Sequence, residues 1–315
     1  MEKRKLGNSD LFVAPITFGG NVFGWTIDEA KSFEILDGFL AAGFNFIDTA
    51  DVYSRWKPGN KGGESETIIG NWMASRKNRQ QVIIATKVGS DLGDGKKGLT
   101  KKYITQAVED SLTRLKTDYI DLYFSHYEDQ ETPILETLEA YDSLIKAGKV
   151  RWIGASNYSA ENLLEALETS KKYSLAKYQV FQPEYNLYNR ATFETEYEQI
   201  CVENQLGVTN YYALASGFLT GKYRSEADLN KSQRGGGMKS FLNDRGLKIL
   251  NALDQVAEQY NATPASVALA WLIARPSITA PIASVTSMEQ LNDFTKATSI
   301  SLQTEDIALL DEASK

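Results

Sequence analysis

Four side chains that can transfer protons or hold charge follow three consecutive apolar runs of the chain. They are a carboxylate, a phenol, an amine and the only imidazole: Asp48, Tyr53, Lys87 and His126. A phenol titrates near pH ~10, and a neighbouring ammonium is expected to lower its pKa. A carboxylate would keep that ammonium charged and in place. Together these groups could protonate the oxygen of a carbonyl compound during reduction, with Tyr53 as the acid, and take the proton back during oxidation.

These side chains can meet only if the elements that carry them lie side by side. Short β-branched and apolar runs alternate with amphipathic helical stretches, and most runs are continuously apolar, as in parallel strands covered on both faces. The predicted strands are Ile16–Phe18, Asn45–Asp48, Val82–Thr86, Ile120–Ser125, Val150–Ala155, Tyr178–Gln182, Val208–Tyr212 and Ile278–Ile282. This pattern predicts a single α/β domain over residues 1–315, a (β/α)8 TIM barrel with its active site at the C-terminal ends of the strands. A doubly wound open sheet is the alternative, but no G-x-G-x-x-G turn follows a strand.

Helices are predicted between the strands. One is expected to begin at a capping box formed by Thr26 and Glu29, and another to have Thr132 as its N-cap and Pro133 as its first residue. The others are Tyr103–Leu115, Ser159–Tyr173, Phe193–Asn204, Asn243–Tyr260, Pro264–Ala274, Ser287–Thr298 and an extra C-terminal helix, Thr304–Ala313.

Two further segments are predicted outside this alternation. Lys3–Val13 is expected to form an N-terminal hairpin around Gly7 and Asn8. The glycine-rich stretch Lys231–Lys239 is expected to be a loop on the active-site side of the barrel.

Charge and cysteine content narrow the possible partners. The 315-residue chain has a formal net charge of −7, which disfavours nucleic acids and anionic membranes as partners and favours small molecules. Cys201 and His126 are the only residues of their types, so neither an intrachain disulfide nor a bound metal is expected. The sequence shows no signal peptide and no long uncharged apolar stretch, which predicts a cytoplasmic protein without a transmembrane helix.

The chain resembles the aldo-keto reductase family through motifs that follow one another along nearly its whole length. They are Gly43–Tyr53 (GFNFIDTADVY), Gly63–Glu66 (GESE), Ala85–Lys87 (ATK), Asp118–His126 (DYIDLYFSH), Gly148–Asn157 (GKVRWIGASN), Gln182–Asn186 (QPEYN) and Gly217–Tyr223 (GFLTGKY). It is most similar to the bacterial members related to potassium-channel β subunits. The resemblance implies NAD(P)H-dependent reduction of aldehydes or ketones, with Asp48, Tyr53, Lys87 and His126 as the catalytic tetrad.

The same resemblance implies a site for an extended nicotinamide cofactor. Ser156, Asn157 and Gln182 would hold the carboxamide, to which a hydroxyl and two amides offer donors and acceptors, and Tyr211 would stack on the nicotinamide ring. The rest of the cofactor would contact Leu214, Gly217, Leu219, Lys222, Ser284, Thr286 and Gln290.

Two departures from the family pattern fall in this cofactor site. Family members usually carry Lys or Arg in the loop after the eighth strand, where this chain has Ala283, Ser287 and Glu289. NADP(H) is the expected cofactor, with NAD(H) as the alternative because of this loop. Tyr212 and Ala213 stand where Ser-Pro is common.

Aromatic residues in the loops are expected to line the substrate pocket and to favour apolar or planar carbonyl compounds. They are Phe23, Trp25, Trp56 and Tyr127. Two other functions stay open on the residues alone. One is a cofactor-binding regulatory module like a channel β subunit, and the other is a barrel lyase or aldolase that uses Lys87 as a Schiff-base nucleophile.

Overall fold

The computed structural model describes residues 1–232 and 235–315. Within them, a two-stranded antiparallel hairpin precedes an eight-stranded parallel sheet. The strands are β1 (Arg4–Lys5), β2 (Phe12–Val13), β3 (Thr17–Gly19), β4 (Phe46–Asp48), β5 (Ile83–Val88), β6 (Ile120–Ser125), β7 (Val150–Ser156), β8 (Tyr178–Gln182), β9 (Gly207–Val208) and β10 (Ile282–Ala283). The helices are α1 (Glu29–Ala41), α2 (Glu64–Arg76), α3 (Lys101–Leu115), α4 (Ile134–Lys146), α5 (Ala160–Tyr173), α6 (Glu198–Glu203), α7 (Asp244–Gln259), α8 (Pro264–Ile273), α9 (Met288–Ser299) and α10 (Thr304–Ala313).

The parallel sheet curls into a barrel. Its strands neighbour one another in the order β10, β3, β4, β5, β6, β7, β8, β9. The two ends of this order meet, because the amides of Thr279 and Ile282 donate to the carbonyls of Val208 and Asn210, each at 2.9 Å. The predicted (β/α)8 TIM barrel is confirmed, together with its N-terminal hairpin and its extra C-terminal helix α10.

The last two barrel strands are shorter than the sequence predicts. The prediction Val208–Tyr212 is wrong beyond Val208, where the regular strand ends and is followed by an isolated bridge between Glu184 and Tyr211. The prediction Ile278–Ile282 is also displaced, since β10 begins at Ile282. Pro281 precedes it and has no amide hydrogen to donate to a neighbouring strand.

The two N-caps that the sequence predicts are wrong by one or two residues. Helix α1 is capped by Asp28 instead of Thr26, and the Asp28 carboxylate accepts a hydrogen bond from the amide of Lys31 at 2.9 Å. A carboxylate at this position also interacts favourably with the helix dipole. Helix α4 has Pro133 at its N-cap, because the hydroxyl of Thr132 donates to a neighbouring aspartate instead of capping the helix.

Helix α2 is absent from the sequence prediction. Its buried side includes the polar residues Ser65 and Glu66 beside Ile69 and Trp72, so it has no clean apolar stripe by which periodicity could reveal it. Of the predicted loop Lys231–Lys239, residues 233 and 234 lie outside the described residues. The part that follows them belongs to a 3-10 helix, Gly235–Phe241.

The hairpin closes the N-terminal end of the barrel. Its apolar side chains form one cluster with those that point into the barrel from the strands: Leu6, Leu11, Val13, Phe46, Ala85, Leu122, Phe124, Val180 and Ala280. Gly7 permits this contact, because a β-carbon there would lie 2.3 Å from the carbonyl oxygen of Gln179. A larger apolar layer lies between the strands and the surrounding helices. The hairpin therefore leaves only the C-terminal end of the barrel open for a site.

Within the described residues, no helix combines the length and the apolar character that a membrane-spanning segment needs.

Candidate active site

The side-chain alternation of the strands brings the predicted catalytic residues together. Successive side chains of a strand point to opposite faces. Phe46 and Ala85 point into the barrel core, so Asp48 and Lys87, two residues further along β4 and β5, point the same way at the C-terminal end. The same relationship places His126 and Gln182 beyond the inward-facing residues of β6 and β8: Phe124 and Val180.

Lys87 is the hub of this cluster. Its fully buried ammonium donates to the Asp48 carboxylate at 2.6 Å, to the Thr49 carbonyl at 2.8 Å and to the Tyr53 hydroxyl at 2.8 Å. An ammonium has three hydrogens, so these acceptors satisfy all of them. The other Asp48 oxygen accepts a hydrogen bond from the side-chain amide of Gln182 at 3.0 Å. Lys87 is thus held against the phenol of Tyr53.

The pKa of Tyr53 departs from the sequence expectation. Burial, followed by the charge of the Asp48 carboxylate, raises the pKa of Tyr53 well above its usual value. The expected lowering of this pKa is therefore not found in this structure, because desolvation of the phenolate and the charge of Asp48 both act in the opposite direction. Burial also lowers the pKa of Lys87, although Asp48 opposes that shift. The resulting neutral phenol is the form that can donate a proton.

His126 faces Tyr53 across the site. The two ring centroids are 6.0 Å apart, and the Nδ1 atom of His126 lies 2.9 Å from the hydroxyl of Ser90. Burial, followed by the charge of Lys87, holds the pKa of His126 well below its usual value, which favours the neutral imidazole. When Ser90 donates to Nδ1, the one proton of that imidazole is on Nε2, where it can be donated to a substrate oxygen. Ser90 was not predicted, although it lies only three residues beyond Lys87, in the loop that follows β5.

The residues predicted to hold the carboxamide form one connected network. The hydroxyl of Ser156 donates to the carbonyl of Gln182 at 2.9 Å, and the side-chain amide of Asn157 donates to that hydroxyl at 3.1 Å. The side-chain oxygen of Asn157 accepts a hydrogen bond from the hydroxyl of Tyr211 at 2.9 Å. The structure therefore brings these four residues together beside Asp48, to which Gln182 is also bonded.

A groove of about 1110 Å³ runs across this end of the barrel. We call it the active-site groove. Its lining includes three of the tetrad residues and most of the predicted cofactor and substrate residues: Asp48, Tyr53, His126, Ser156, Asn157, Gln182, Tyr211, Leu214, Gly217, Lys222, Ser284, Thr286, Gln290, Trp56 and Tyr127. Lys87 lies behind Tyr53, fully buried. This volume is large for a pocket that takes a single small molecule.

Three predicted binding residues lie elsewhere. Phe23 is fully buried and stacks on Phe18 with ring centroids 5.1 Å apart, so it belongs to the apolar layer and not to the substrate pocket. Trp25 is outside the groove lining and packs edge-on against Trp56, at 5.4 Å. Leu219 is also fully buried and outside the lining. Sequence position alone cannot distinguish these aromatic and apolar residues from lining residues, because loops carry both.

Asp51 is a buried carboxyl group that the sequence analysis did not single out. It is 2% exposed, and neither of its oxygens has a hydrogen-bond partner among the described residues. Nearby, Glu66 accepts hydrogen bonds from Thr86 and Arg114, both at 2.6 Å. Burial, followed by the charge of Glu66, raises the pKa of Asp51 well above its usual value, against smaller opposing effects of Arg114, of the nearby backbone amide of Val52 and of Lys87. Asp51 is therefore held in a place that favours its neutral form.

The residues of the groove fit a nicotinamide dinucleotide. Hydroxyl and amide side chains at Ser156, Asn157 and Gln182 match the hydrogen-bonding groups of a carboxamide. Lys222 adds a cation to the lining of the same groove. The backbone between them turns through residues with positive φ, from Ala215 to Gly217. In the part of the chain that the structure describes, no group of three or more His, Cys, Asp or Glu side chains could hold a metal ion.

Comparison with known proteins gives the family of this chain. Residues 15–315 match the model of the Aldo/keto reductase family. The chain belongs to the aldo/keto reductase family. This confirms the resemblance seen in its motifs. As an aldo/keto reductase the protein is an oxidoreductase of a family that generally uses NAD(P)H and acts on small carbonyl compounds.

Individual relatives of this aldo/keto reductase include enzymes and channel subunits. The Bacillus subtilis (strain 168) protein named uncharacterized oxidoreductase YrpG is 36% identical over 320 residues, which cover 99% of this chain and 95% of the relative. A probable voltage-gated potassium channel subunit beta of Arabidopsis thaliana is 32% identical over 310 residues, covering 95% and 92%. Norsolorinic acid reductase B of Aspergillus parasiticus is 31% identical over 320 residues, covering 97% and 80%.

Proposed function

We propose that this protein reduces aldehydes or ketones to alcohols with NADPH or NADH, and that Tyr53 is the general acid. The observation that carries the proposal is the contact of 2.8 Å between the buried ammonium of Lys87 and the Tyr53 hydroxyl in the active-site groove. Among the relatives, one is named a reductase and another an oxidoreductase, which supports this class of reaction.

In the proposed reaction, a bound reduced nicotinamide supplies a hydride to the carbonyl carbon. The carbonyl oxygen takes the proton of the Tyr53 hydroxyl, so an aldehyde becomes a primary alcohol and a ketone a secondary alcohol. The phenolate left on Tyr53 is stabilised by the Lys87 ammonium 2.8 Å away until it regains a proton from solvent. Acid catalysis of this kind typically accelerates a reaction ~10²–10⁴-fold.

His126 and Asp48 have supporting roles in this proposal. A neutral His126 donates a hydrogen bond to the substrate oxygen as negative charge develops there. Asp48 keeps Lys87 charged and in place through their contact of 2.6 Å.

The cytoplasm is the expected location of the reaction, since the thiol of Cys201 would stay reduced there.

The cofactor would lie along the predicted binding residues. Ser156, Asn157 and Gln182 would hold the carboxamide, and Tyr211 would pack on the nicotinamide. Leu214, Gly217 and Lys222 would lie along the pyrophosphate, and Ser284, Thr286 and Gln290 would contact the adenosine end.

NADP(H) is the first candidate from the family, but the adenosine end offers it little positive charge. The polar side chains described there are hydroxyls, amides and the carboxylate of Asp293. The N-terminus of α9, which begins after Ser287, is the feature that attracts anions there. Glu289, which the sequence placed where a cation is common, is exposed outside the groove lining. The weak positive charge makes NAD(H) a second candidate.

The substitution Tyr53→Phe tests the acid role. The variant loses only the hydroxyl, so we expect kcat for reduction of an aldehyde panel to fall by ~10²–10⁴-fold while NADPH binding stays close to that of the wild type. Turnover is followed by nicotinamide absorbance and binding by fluorescence quenching. Tyr173→Phe, on an exposed surface of α5, serves as the matched control. Full turnover by Tyr53→Phe would overturn the proposal.

A cofactor-binding regulatory module is the second candidate. The similarity to a probable potassium channel subunit beta favours it. This function requires tight cofactor binding but no fast chemistry. Tight binding of NADPH or NADH, together with negligible turnover on a broad carbonyl panel, would favour the regulatory module over the reductase.

The structure disfavours a lyase or aldolase that uses Lys87 as a nucleophile. The ammonium of Lys87 is fully buried and donates to three acceptors. A Schiff-base nucleophile must present a free amine to the substrate, and Lys87 is not part of the groove lining.

A further inference from the structure

Three aromatic side chains in the active-site groove are unusually exposed. Trp56, Tyr127 and Tyr212 are 48%, 50% and 51% exposed. In the described part of the chain, the other strongly exposed aromatic residues are only Phe12 and Tyr173, and neither lines the groove. Exposed apolar surface collected in one concave site is typical of a ligand-binding surface.

These three rings line the same groove as Tyr53, the residue that would donate the proton. The rings of Tyr53 and Trp56 have centroids 6.0 Å apart. Electrostatic effects of Tyr127 and Tyr212 contribute to the raised pKa of Tyr53, after burial and the charge of Asp48. Tyr127 also stacks on His126 with centroids 5.0 Å apart. A carbonyl group placed at Tyr53 would therefore have its attached group in the groove that these three rings line.

Tyr212 is held in its position by the backbone. Its φ of 55° lies in the left-handed region, which is unfavourable for a residue with a β-carbon. Its carbonyl accepts hydrogen bonds from the side-chain amide of Asn186 at 3.1 Å and from the amide of Ala215 at 2.7 Å. Strained residues that the surrounding structure enforces are concentrated at binding sites. The ring of Tyr212 lies edge-on to Tyr211, with centroids 5.1 Å apart.

Each charged group of the described groove lining has a partner of its own in the protein. These groups are Asp48, Lys222 and Asp293. Asp48 is paired with Lys87, and Asp293 accepts hydrogen bonds from Thr263 and Ser266 at 2.7 and 3.1 Å. Lys222 packs over the ring of Tyr223. The surroundings of Tyr53 therefore suit a substrate without net charge.

We infer that Trp56, Tyr127 and Tyr212 form an aromatic clamp that selects neutral aryl aldehydes and aryl ketones over aliphatic carbonyl compounds of similar size. The inference rests on the proposed reductase function and names its substrate class. Rings gain from edge-on and offset contacts with other rings beyond the area that they bury. Each ring that contacts the substrate would favour an aryl group by about three- to tenfold in affinity.

The test compares benzaldehyde with cyclohexanecarbaldehyde in the wild type and in variants of Tyr212. These two aldehydes have similar size, but only one has an aromatic ring. Their intrinsic reactivities differ, so the readout is the change that a variant causes in the ratio of their kcat/KM values. We expect Tyr212→Ala to lower the ratio of benzaldehyde to cyclohexanecarbaldehyde about three- to tenfold. Tyr212→Phe keeps the ring and should keep the ratio.

Tyr173→Ala is the matched control, because Tyr173 is 49% exposed but lies outside the groove lining. It should leave the ratio unchanged. An unchanged ratio in Tyr212→Ala would overturn the clamp. So would an equal fall for both aldehydes together with weaker NADPH binding, since Tyr212 would then contact the cofactor instead of the substrate.

A binding measurement separates this inference from the reductase proposal. Benzamide carries the phenyl group of benzaldehyde, and cyclohexanecarboxamide carries the cyclohexyl group of the other aldehyde, but neither amide is reduced as an aldehyde is. Their binding to the cofactor-loaded protein is measured by calorimetry. A protein without turnover that binds benzamide more tightly would overturn the reductase and support the clamp. Turnover of both aldehydes without any preference for benzamide would support the reductase and overturn the clamp.

Discussion

The ammonium of Lys87 and the hydroxyl of Tyr53 lie 2.8 Å apart, although 34 residues separate them along the chain. Burial lowers the pKa of Lys87 and raises the pKa of Tyr53. The ordinary pKa values of lysine and tyrosine are close, about 10.4 and about 10. Shifts in opposite directions make Lys87 the group of the pair that loses its proton first as the pH rises.

The pH profile of carbonyl reduction should reflect this order. The pKa of His126 is held well below its usual value, so we expect no change of kcat/KM near pH 7 from this group, whose ordinary pKa is about 6.5, and a decrease only at alkaline pH. The decrease at higher pH should report the deprotonation of Lys87. An arginine stays charged at alkaline pH, so Lys87→Arg should move the alkaline decrease of kcat/KM to higher pH. This shift is expected even if the variant also changes the value of kcat/KM near neutral pH. An identical alkaline limb in that variant would assign the titration to Tyr53.

Removal of the Lys87 ammonium should affect stability as well as activity. Lys87→Met leaves the Asp48 carboxylate, 1% exposed, without its cation, which we expect to lower the free energy of unfolding by about 3–5 kcal/mol. The double variant Asp48→Asn/Lys87→Met removes both charges and should regain most of that loss while staying inactive. Urea unfolding and turnover are measured on the same samples. Equal stability of Lys87→Met and wild type would contradict the buried ion pair.

Asp51 should make the protein less stable as the pH rises. Its pKa is raised in the folded state, so the folded protein binds the proton more tightly than the unfolded chain, whose aspartate pKa is about 3.9. The free energy of unfolding therefore decreases as the pH rises above about 3.9 towards the folded-state pKa. Asp51→Asn removes this decrease and should raise the free energy of unfolding at pH 7 by about 1–3 kcal/mol.

The gain from Asp51→Asn should shrink near pH 4, where Asp51 is protonated in the folded protein. Urea unfolding at several pH values measures both effects. Asp118→Asn is the control, because Asp118 is exposed and its substitution should give no such pH-dependent gain. A gain from Asp51→Asn that is the same at all pH values would show that Asp51 is not the titrating group.

The cofactor preference can be shifted at the adenosine end of the groove. Gln290 is exposed there at the start of α9, and Gln290→Arg would add a cation near the expected place of a 2′-phosphate. Because hydrogen bonds to charged groups contribute about 1.5–3 kcal/mol, we expect NADPH binding to tighten at least tenfold relative to NADH. Parallel fluorescence titrations of both cofactors measure this change. An unchanged ratio would place the 2′-phosphate away from Gln290.

The alternation of apolar runs along the chain was sufficient to predict the barrel and the meeting point of the tetrad. Parallel strands align their C-terminal ends, and side chains alternate strictly along each strand. The positions of Asp48, Lys87 and His126 after three successive runs therefore implied one shared end. These are local patterns, which a sequence carries without knowledge of distant contacts.

Other features depend on contacts between distant parts of the chain. Helix α2 has buried polar residues, and no local pattern shows that Glu66 meets Thr86 and Arg114. Phe23 and Trp56 are both aromatic loop residues, yet one is fully buried and the other is half exposed in the groove. Which ring is enclosed depends on the elements that pack around it.

Residue types and their periodicity were enough to predict the fold and the kinds of chemical group at the open end of the barrel. The folded environment determines how those groups titrate, since the pKa of Tyr53 is raised mainly by its burial and by Asp48. It also determines that Asp51 is enclosed and that Tyr212 is exposed. The physical reason is that desolvation and packing depend on every element that surrounds a group, whereas residue type and periodicity depend on the chain alone.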